Sequence, residues 1–283
     1  MTKSAATDNR PPLLIQARSV SDAYAQLLVH VLGQSGNEVS PLVLTIDQFD
    51  QGYDIPENAK VRAAMDTLLA AKAKLSVEDV AYTIFPQRLW TMAQGDRARL
   101  FQFYKMAFPF YRAVNAKANG RGLYFERLVM FGSGPCDGNQ LEWILSQFKS
   151  RSGVRRSMWQ ATTFDPARDH SATAQLGFPC LQHVSFVPTK AGLVANAFYA
   201  TQQLFDKAYG NYLGLAELAA FMAEEMGLPL ARLNITVGVA KLERISKADP
   251  LLQPLLDAAL ECIAPLKTSS PSAVKSSALS LPV

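Results

Sequence analysis

Three strand-like segments follow one another directly in the middle of the chain, with no helical segment between them. They cover residues 154–166, 177–186 and 193–201, and the last two alternate apolar with polar residues. Antiparallel strands can be joined by a tight turn, whereas parallel strands need a long crossover that is usually a helix. The order therefore predicts an α+β fold with a large mixed β-sheet and argues against a doubly wound parallel sheet.

The other segments add further strands and helices. Residues with strand propensity predict strands at 13–17, 41–46, 123–131 and 234–243. Apolar residues at helical spacing predict helices at 19–32, 61–75, 96–115, 139–148, 215–226 and 250–263. We find no internal repeat. We therefore expect one domain over residues 13–263, between a flexible N-terminus (1–12) and a flexible Ser/Pro-rich tail (264–283).

The composition limits the class of protein. Of the 283 residues, 49% are hydrophobic and 18% are charged, as in ordinary globular chains. No segment reaches the roughly 18 apolar residues of a membrane span. The net charge of +4 is spread along the chain, so neither a membrane nor a nucleic acid is the expected partner. Cys136, Cys180 and Cys262 are too scattered for a disulfide framework or a metal site, so we expect a cytoplasmic protein without a bound metal.

Cys180 is the candidate nucleophile. It follows Pro179 at the start of the predicted strand that ends at Phe186. A cysteine at the end of a sheet can present its thiolate to a cavity. The alternative is core packing, because cysteine is among the most buried residue types. The residues around Cys180 favour the first interpretation.

Six ordered segments contain or surround this cysteine. They are Asn-Gln-Leu-Glu-Trp-Ile at 139–144, Val-Arg-Arg-Ser at 154–157, Phe-Asp-Pro at 164–166, Pro-Cys-Leu at 179–181, Ala-Phe-Tyr-Ala-Thr-Gln-Gln-Leu-Phe at 197–205 and Tyr-Gly-Asn-Tyr-Leu-Gly-Leu at 209–215. In order and spacing they resemble the thymidylate synthase and pyrimidine hydroxymethylase superfamily, over residues 120–243. The resemblance implies a divergent member with a thymidylate synthase-like sheet, flanked by helices in a single domain.

The resemblance also implies a reaction. In the family a cysteine adds to C6 of a pyrimidine, and C5 then attacks a one-carbon unit carried by 5,10-methylenetetrahydrofolate. Cys180 takes the place of that nucleophile and Tyr124 that of an active-site tyrosine. Asn211 matches the asparagine that reads the amide edge of the ring, and Thr201 stands where a serine contacts phosphate.

A homodimer follows from the same resemblance. Arg155 and Arg156 match the pair that reaches across the family's dimer interface to the partner's substrate phosphate. Guanidinium groups suit such a clamp because they bind phosphate and carboxylate bidentately. Neighbouring residues on a strand point to opposite faces, so two solvated arginines are the alternative.

Several positions depart from the family. Ala200 replaces the arginine near the cysteine, and Gln203 replaces an aspartate. Lys241 and Glu243 replace a His-x-Tyr pair that grips the sugar, which predicts either a zwitterionic substituent on the acceptor or a mutual salt bridge. The family's catalytic glutamate falls on Thr67, so deoxyuridylate is not the expected acceptor. The nearest acidic replacements for that glutamate are Asp66 and Glu78.

Residues 82–90 are aromatic and interrupted by Pro86, which predicts a buried connection. Trp90 and Tyr82 would either pack in the core or form the wall of a folate site. The apolar end of the tail, residues 279–283, would then close over the folate as a lid.

Three hypotheses about function follow. The first is a one-carbon transferase that delivers a methyl or hydroxymethyl group to C5 of a pyrimidine-like acceptor. The second is a noncatalytic nucleotide- or folate-binding homologue with a structural or regulatory role, and the third is an unrelated enzyme on the same fold. Selective reaction of Cys180 with a dilute thiol reagent separates an enzyme from a binding protein.

Overall fold

The computed structural model describes residues 11–49, 55–132, 134–172 and 179–264. Seven strands in these ranges form one mixed sheet flanked by helices, which confirms the predicted architecture. The predicted lid at residues 279–283, most of the predicted tail, the first ten residues, and Gly177 with Phe178 lie outside the described residues. In chain order the strands are β1 Leu13–Ala17, β2 Glu38–Val39, β3 Leu42–Ile46, β4 Gln160–Thr162, β5 Leu181–Thr189, β6 Gly192–Gln203 and β7 Leu230–Lys241.

The strand order explains why the sheet is mixed. Along the sheet the strands lie in the order β1-β3-β7-β6-β5-β4, and β2 pairs with one end of β7. β1 is parallel to β3 and β6 is parallel to β7, while the other neighbours are antiparallel. β5 and β6 form a hairpin whose turn holds Lys190 and Ala191, so the direct succession of strands is confirmed here.

Capping residues mark the starts of several helices. The side chains of Ser19, Asn58 and Asp96 each accept hydrogen bonds from backbone N–H groups of the first turn that follows. The helices are α1 Val20–Gly33, α2 Ala59–Ala71, α3 Val77–Tyr82, α4 Gln87–Ala93, α5 Arg97–Val114, α6 Ala116–Asn119, α7 Tyr124–Val129, α8 Gln140–Ser150, α9 Pro166–Asp169, α10 Ala208–Met226 and α11 Gln253–Ile263. Short 3-10 helices lie at Pro135–Gly138, Arg156–Met158 and Pro250–Leu252.

Two predicted strands are wrong. Residues 123–131 hold the helix α7, in which Phe125, Leu128 and Val129 are buried at helical spacing. Of residues 154–166 only β4 is a strand, because the chain turns through a 3-10 helix at Arg156 before it joins the sheet. Aromatic and β-branched residues favoured strands in both places, but tertiary packing overrode that preference.

The helix α10 is buried on nearly all sides, between the sheet and other helices. It begins at Ala208, earlier than the predicted start at residue 215. Gly210 and Gly214 let it lie directly against α3: a Cβ at these positions would be 2.6 Å from the carbonyl oxygen of Val77 and 2.5 Å from that of Ala81, respectively. The start of α10 is thereby fixed beside α3 and the end of β6.

One face of the sheet packs against α1 and α10, and the other face is open in the described chain. On the open face Leu14 and Phe198 are 72% and 40% exposed. A chain of side-chain hydrogen bonds crosses four strands on this face. It runs from Thr45 to Asn234 (2.9 Å), from Asn234 to Asn196 (2.8 Å) and from Asn196 to Ser185 (3.1 Å). The pairing registers align two rows of side chains on this face, Leu14-Val43-Thr236-Phe198-His183 and Gln16-Thr45-Asn234-Asn196-Ser185.

Candidate functional site

A cavity of about 360 Å³ lies where β5 begins and where β6 and β7 end. The segments around α3 and α7 and the first turn of α10 complete its wall. Its apolar lining includes Leu75, Val80 and Leu123. Its polar lining consists of Thr83, Asn119, Tyr124, Cys180, Gln202, Gln203, Lys207, Asn211 and Arg244.

Cys180 presents a half-buried free thiol to this cavity. The β5–β6 hairpin places it opposite the end of β6, where the Thr201 hydroxyl donates to the Cys180 sulfur over 3.6 Å. The backbone N–H of Cys180 donates to the Tyr124 hydroxyl over 3.3 Å, and its carbonyl accepts from Ala200 N–H over 3.0 Å.

Tyr124 is held in place by a buried ion pair that joins its own helix, α7, to α9. Arg127 is 1% exposed and binds both carboxylate oxygens of Asp169, at 3.0 and 2.9 Å. It also donates to the carbonyl of Thr163 at 3.1 Å, which ties α7 to the end of β4. Burial, and after it the charge of Cys180, raise the pKa of Tyr124 well above its ordinary value, so the phenol keeps its proton.

Two buried polar groups close to the thiol have no hydrogen-bond partner in the described chain. Gln202 is 3% exposed; its Oε1 accepts from the Tyr212 hydroxyl at 2.9 Å, and its Nε2 is unpaired. The hydroxyl of Tyr199 is also buried and unpaired. Unpaired buried polar groups are rare in folded proteins. Gln202 belongs to the cavity lining, whereas Tyr199 does not.

Asn211 lies in the first turn of α10 and its backbone N–H donates to the carbonyl of Lys207. The residue is 5% exposed and lines the cavity. A carboxamide offers a donor and an acceptor side by side, which matches the amide edge of a pyrimidine ring.

Lys207 and Arg244 make the cavity electropositive. Burial lowers the pKa of Lys207, and Arg244 and Lys74 lower it further, while Asp206 opposes the shift. Arg244 donates to Asp206 at 2.8 Å. Neither residue was marked by a sequence pattern, because Lys207 lies between two of the six ordered segments and Arg244 follows the last predicted strand.

The structure brings Cys180, Tyr124, Thr201, Gln203 and Asn211 together around one cavity. The other predicted substrate-binding residues lie elsewhere. Lys241 pairs with Glu38 at 3.1 Å and with Glu243 at 3.6 Å, so the mutual salt bridge is what the structure contains. Arg155 and Arg156 are exposed beside β4 and do not reach this cavity's described lining.

The predicted folate wall does not border this cavity. Trp90 is buried against Phe221, with ring centroids 5.0 Å apart, because α4 packs into the core. The hydroxyl of Tyr82 lies 2.6 Å from that of Tyr111. For Trp90 the core alternative is therefore the correct one, and neither aromatic ring lines the cavity.

The two acidic replacements for the missing glutamate are engaged elsewhere. Asp66 binds Arg62 at 2.7 Å, and Glu78 lies 3.5 Å from the same guanidinium. Among the described residues that line the cavity, none is acidic. A carboxylate that could act as a general base is thus not supplied by this lining.

Comparison with models of known protein families and with curated proteins gave no match to the chain. Within the described ranges, no helix has both the length and the apolar character needed to cross a bilayer. The same ranges contain no cluster of three or more Cys, His, Asp or Glu side chains that could hold a metal ion.

Proposed function

We propose that the protein is a thymidylate synthase-like transferase that delivers a methyl or hydroxymethyl group to C5 of a pyrimidine-like acceptor, with Cys180 as the nucleophile. One observation carries the proposal: a half-buried thiol opens into a cavity whose wall holds Asn211, with Tyr124 and Thr201 bonded to the cysteine. These residues are far apart in sequence, and each matches a position that the family resemblance marks. The changes at Ala200, Lys241 and Glu243 support an acceptor other than deoxyuridylate.

The described residues suit the acceptor ring better than the one-carbon donor. A cavity of about 360 Å³ is near the lower end of ligand sites, which span roughly 300–1,000 Å³. Trp90 and Tyr82, the predicted wall for the donor 5,10-methylenetetrahydrofolate, lie away from this space. The proposal therefore concerns the addition of Cys180 to the ring.

The chain's own residues can perform this addition. Asn211 orients the ring, and the Thr201 hydroxyl, which donates to the Cys180 sulfur, holds that sulfur in place until it bonds to C6. The electron pair of the C5–C6 double bond moves toward C5 and the C4 carbonyl, and a proton from water adds at C5. Loss of the other C5 proton and expulsion of the thiolate restore the ring, so C5 exchanges its hydrogen with solvent without any donor.

Hydrogen exchange in heavy water tests the proposal. Uracil derivatives with free C5 and C6 positions are incubated with the full chain, and incorporation of deuterium at C5 is read by mass spectrometry. We expect exchange with at least one derivative, loss of exchange in Cys180→Ser, and retention in Cys262→Ser, whose thiol lies outside the cavity lining.

Thiol reactivity gives a second readout. Burial raises the pKa of Cys262, and burial with the charges of Glu142 and Asp137 raises that of Cys136. We expect a dilute alkylating reagent to modify Cys180 about tenfold faster than Cys262, because Cys180 opens into a polar cavity. Cys136 is exposed, so its reaction does not depend on the cavity. If Cys180 is no faster and no derivative exchanges, the transferase proposal is abandoned.

One observation favours a second candidate, a noncatalytic nucleotide-binding homologue. The described lining has no acidic side chain to act as a base, although it keeps polar groups that can bind a ring. Such a protein would bind pyrimidines with affinity unchanged in Cys180→Ser and would not exchange C5 hydrogen. The exchange experiment therefore separates the two functions.

A homodimer formed through the open face of the sheet belongs to the same proposal. The two aligned rows on this face contain no Lys, Arg, Asp or Glu, and Arg232 follows in the next row beside Val194, so a second copy would pack on the two uncharged rows. Arg155 and Arg156 are exposed and available to a partner's substrate. We expect light scattering to give a dimer that Phe198→Glu dissociates and that Leu260→Glu, at an exposed position on α11, leaves intact. A monomeric wild-type protein would rule out the role of the arginines across an interface.

We also place the protein in the cytoplasm. All three cysteines are free, as is usual in a reducing compartment. Microscopy of a tagged chain tests this placement, and export of the chain would contradict it.

A further inference from the structure

The start of α10 carries an excess of positive charge within the candidate cavity. Lys207 lines the cavity, and its side chain makes no hydrogen bond or ion pair with the described part of the chain. Arg244 lines the same wall, and its only acidic partner in the described ranges is Asp206. Two cations therefore face the cavity with one carboxylate beside them, and Lys74 adds a third positive charge nearby.

The backbone and a buried amide add to this charge. α10 has 19 residues, and no side chain caps its first turn. A helix N-terminus carries partial positive charge and unpaired N–H groups, which favour an anion. Independently, the Nε2 group of Gln202 is a buried donor without a partner, in a residue that lines the cavity. Its orientation is set by the hydrogen bond between its Oε1 and Tyr212.

We propose that the acceptor carries an anionic substituent, a carboxylate or a phosphate, bound by Lys207 and Arg244 at the start of α10. Lys207 precedes Asn211 by four residues, about one helical turn, so an anion held by Lys207 would lie beside the amide that would read the ring. The site differs from the one that the sequence suggested, because Lys241 is paired with Glu38 and lies outside the described lining. The assignment of the ring to Asn211 rests on the proposed function, whereas the anion site does not.

Calorimetric titration of the full chain tests the site with four probes: uracil, uracil-1-acetate, uridine 5′-monophosphate and inorganic phosphate. We expect an anionic pyrimidine to bind about 10–100-fold more tightly than uracil, as is usual for hydrogen bonds to charged groups. Tighter binding of the acetate identifies a carboxylate site, and tighter binding of the monophosphate identifies a phosphate site.

Matched variants assign the effect to the residue. Lys207→Met should remove most of the advantage of the anionic probe and leave uracil affinity unchanged. Lys190→Met, at an exposed position in the β5–β6 turn, should keep the advantage. If Lys207→Met does not fold, the salt dependence of the wild-type protein replaces it: affinity for the anionic probe should fall with ionic strength and that for uracil should not.

The outcomes separate this proposal from the proposed function. Equal affinity for uracil and both anionic pyrimidines, or an advantage that survives in Lys207→Met and in Arg244→Met, overturns the anion site. Binding of inorganic phosphate as tightly as the monophosphate, lost in Lys207→Met, supports the anion site but removes the pyrimidine from the proposed function. Preference for an anionic pyrimidine without C5 exchange supports the anion site in a binding protein.

Discussion

The free energy of unfolding should depend on pH through Glu217. Its side chain lies on α10 and is only 9% exposed. Burial raises its pKa to about 8, the negative charges of Glu78 and Glu57 contribute, and Arg62 opposes the shift. Arg62 compensates only partly, because it also pairs with Glu57 at 2.7 Å, Asp66 at 2.7 Å and Glu78 at 3.5 Å.

The direction of the effect follows from the two pKa values. Below the unfolded-state value of about 4.3, Glu217 is neutral in both states and burial costs little. Between pH values of about 4.3 and about 8, Glu217 is ionised in the unfolded chain but stays protonated in the folded chain. The free energy of unfolding therefore falls as the pH rises through this range. With a folded pKa of about 8, the loss at pH 8 is on the order of 4 kcal/mol.

Replacement of Glu217 by glutamine removes this titration and keeps nearly the same shape. Urea denaturation at pH 5, 6, 7 and 8 measures the free energy of unfolding of the variant and of the wild type. We expect Glu217→Gln to become more stable than the wild type as the pH rises, by about 1.4 kcal/mol per pH unit at most. Glu261→Gln is the control, because the Glu261 side chain is 61% exposed. Its difference from the wild type in free energy of unfolding should be the same at each pH. A gap that does not change with pH for Glu217→Gln would refute the idea that this carboxyl is held neutral by burial.

Two further predictions concern packing around the site. Gly214→Ala should lower the free energy of unfolding, measured by thermal unfolding, by about 1–3 kcal/mol. The reason is that its Cβ would lie 2.5 Å from the carbonyl oxygen of Ala81. Gly33→Ala, whose Cβ would have no atom within 4 Å, should be nearly neutral. Asp169→Asn should lower the free energy of unfolding, measured by denaturant titration, by about 3–5 kcal/mol, since it leaves the buried Arg127 without the Asp169 carboxylate. The double change Arg127→Met with Asp169→Leu removes both charges and should lower it much less. Equal losses in the two glycine variants, or a double variant as unstable as the single one, would contradict these arguments.

Most elements could be predicted because their signals are local. The cap at Ser19 and the apolar spacing after it are enough to predict α1. Alternating residues are enough to predict the two strands of the β5–β6 hairpin, although the turn between them has two residues and the predicted strands left six. Both patterns depend on residues that are neighbours in sequence, so no distant contact is needed to interpret them.

The helix α7 shows where local signals fail. Its residues have high strand propensity, and Glu126 with Arg127 would be costly to bury in isolation. Asp169 makes that burial possible from 42 residues away along the chain. A sequence pattern cannot show such a partner, so the segment was predicted as a strand.

The candidate site divides in the same way between local and distant contacts. The sequence by itself predicted a strand that begins at Cys180, whereas the pairing of β5 with β6 brings the Thr201 hydroxyl to its sulfur. Only the tertiary structure decided that Tyr124, Lys207 and Arg244 share their cavity. Their positions depend on the packing of α7, on the glycines that seat α10 against α3 and on the pairing of β7 with β6, and these long-range contacts form only when the whole core is assembled.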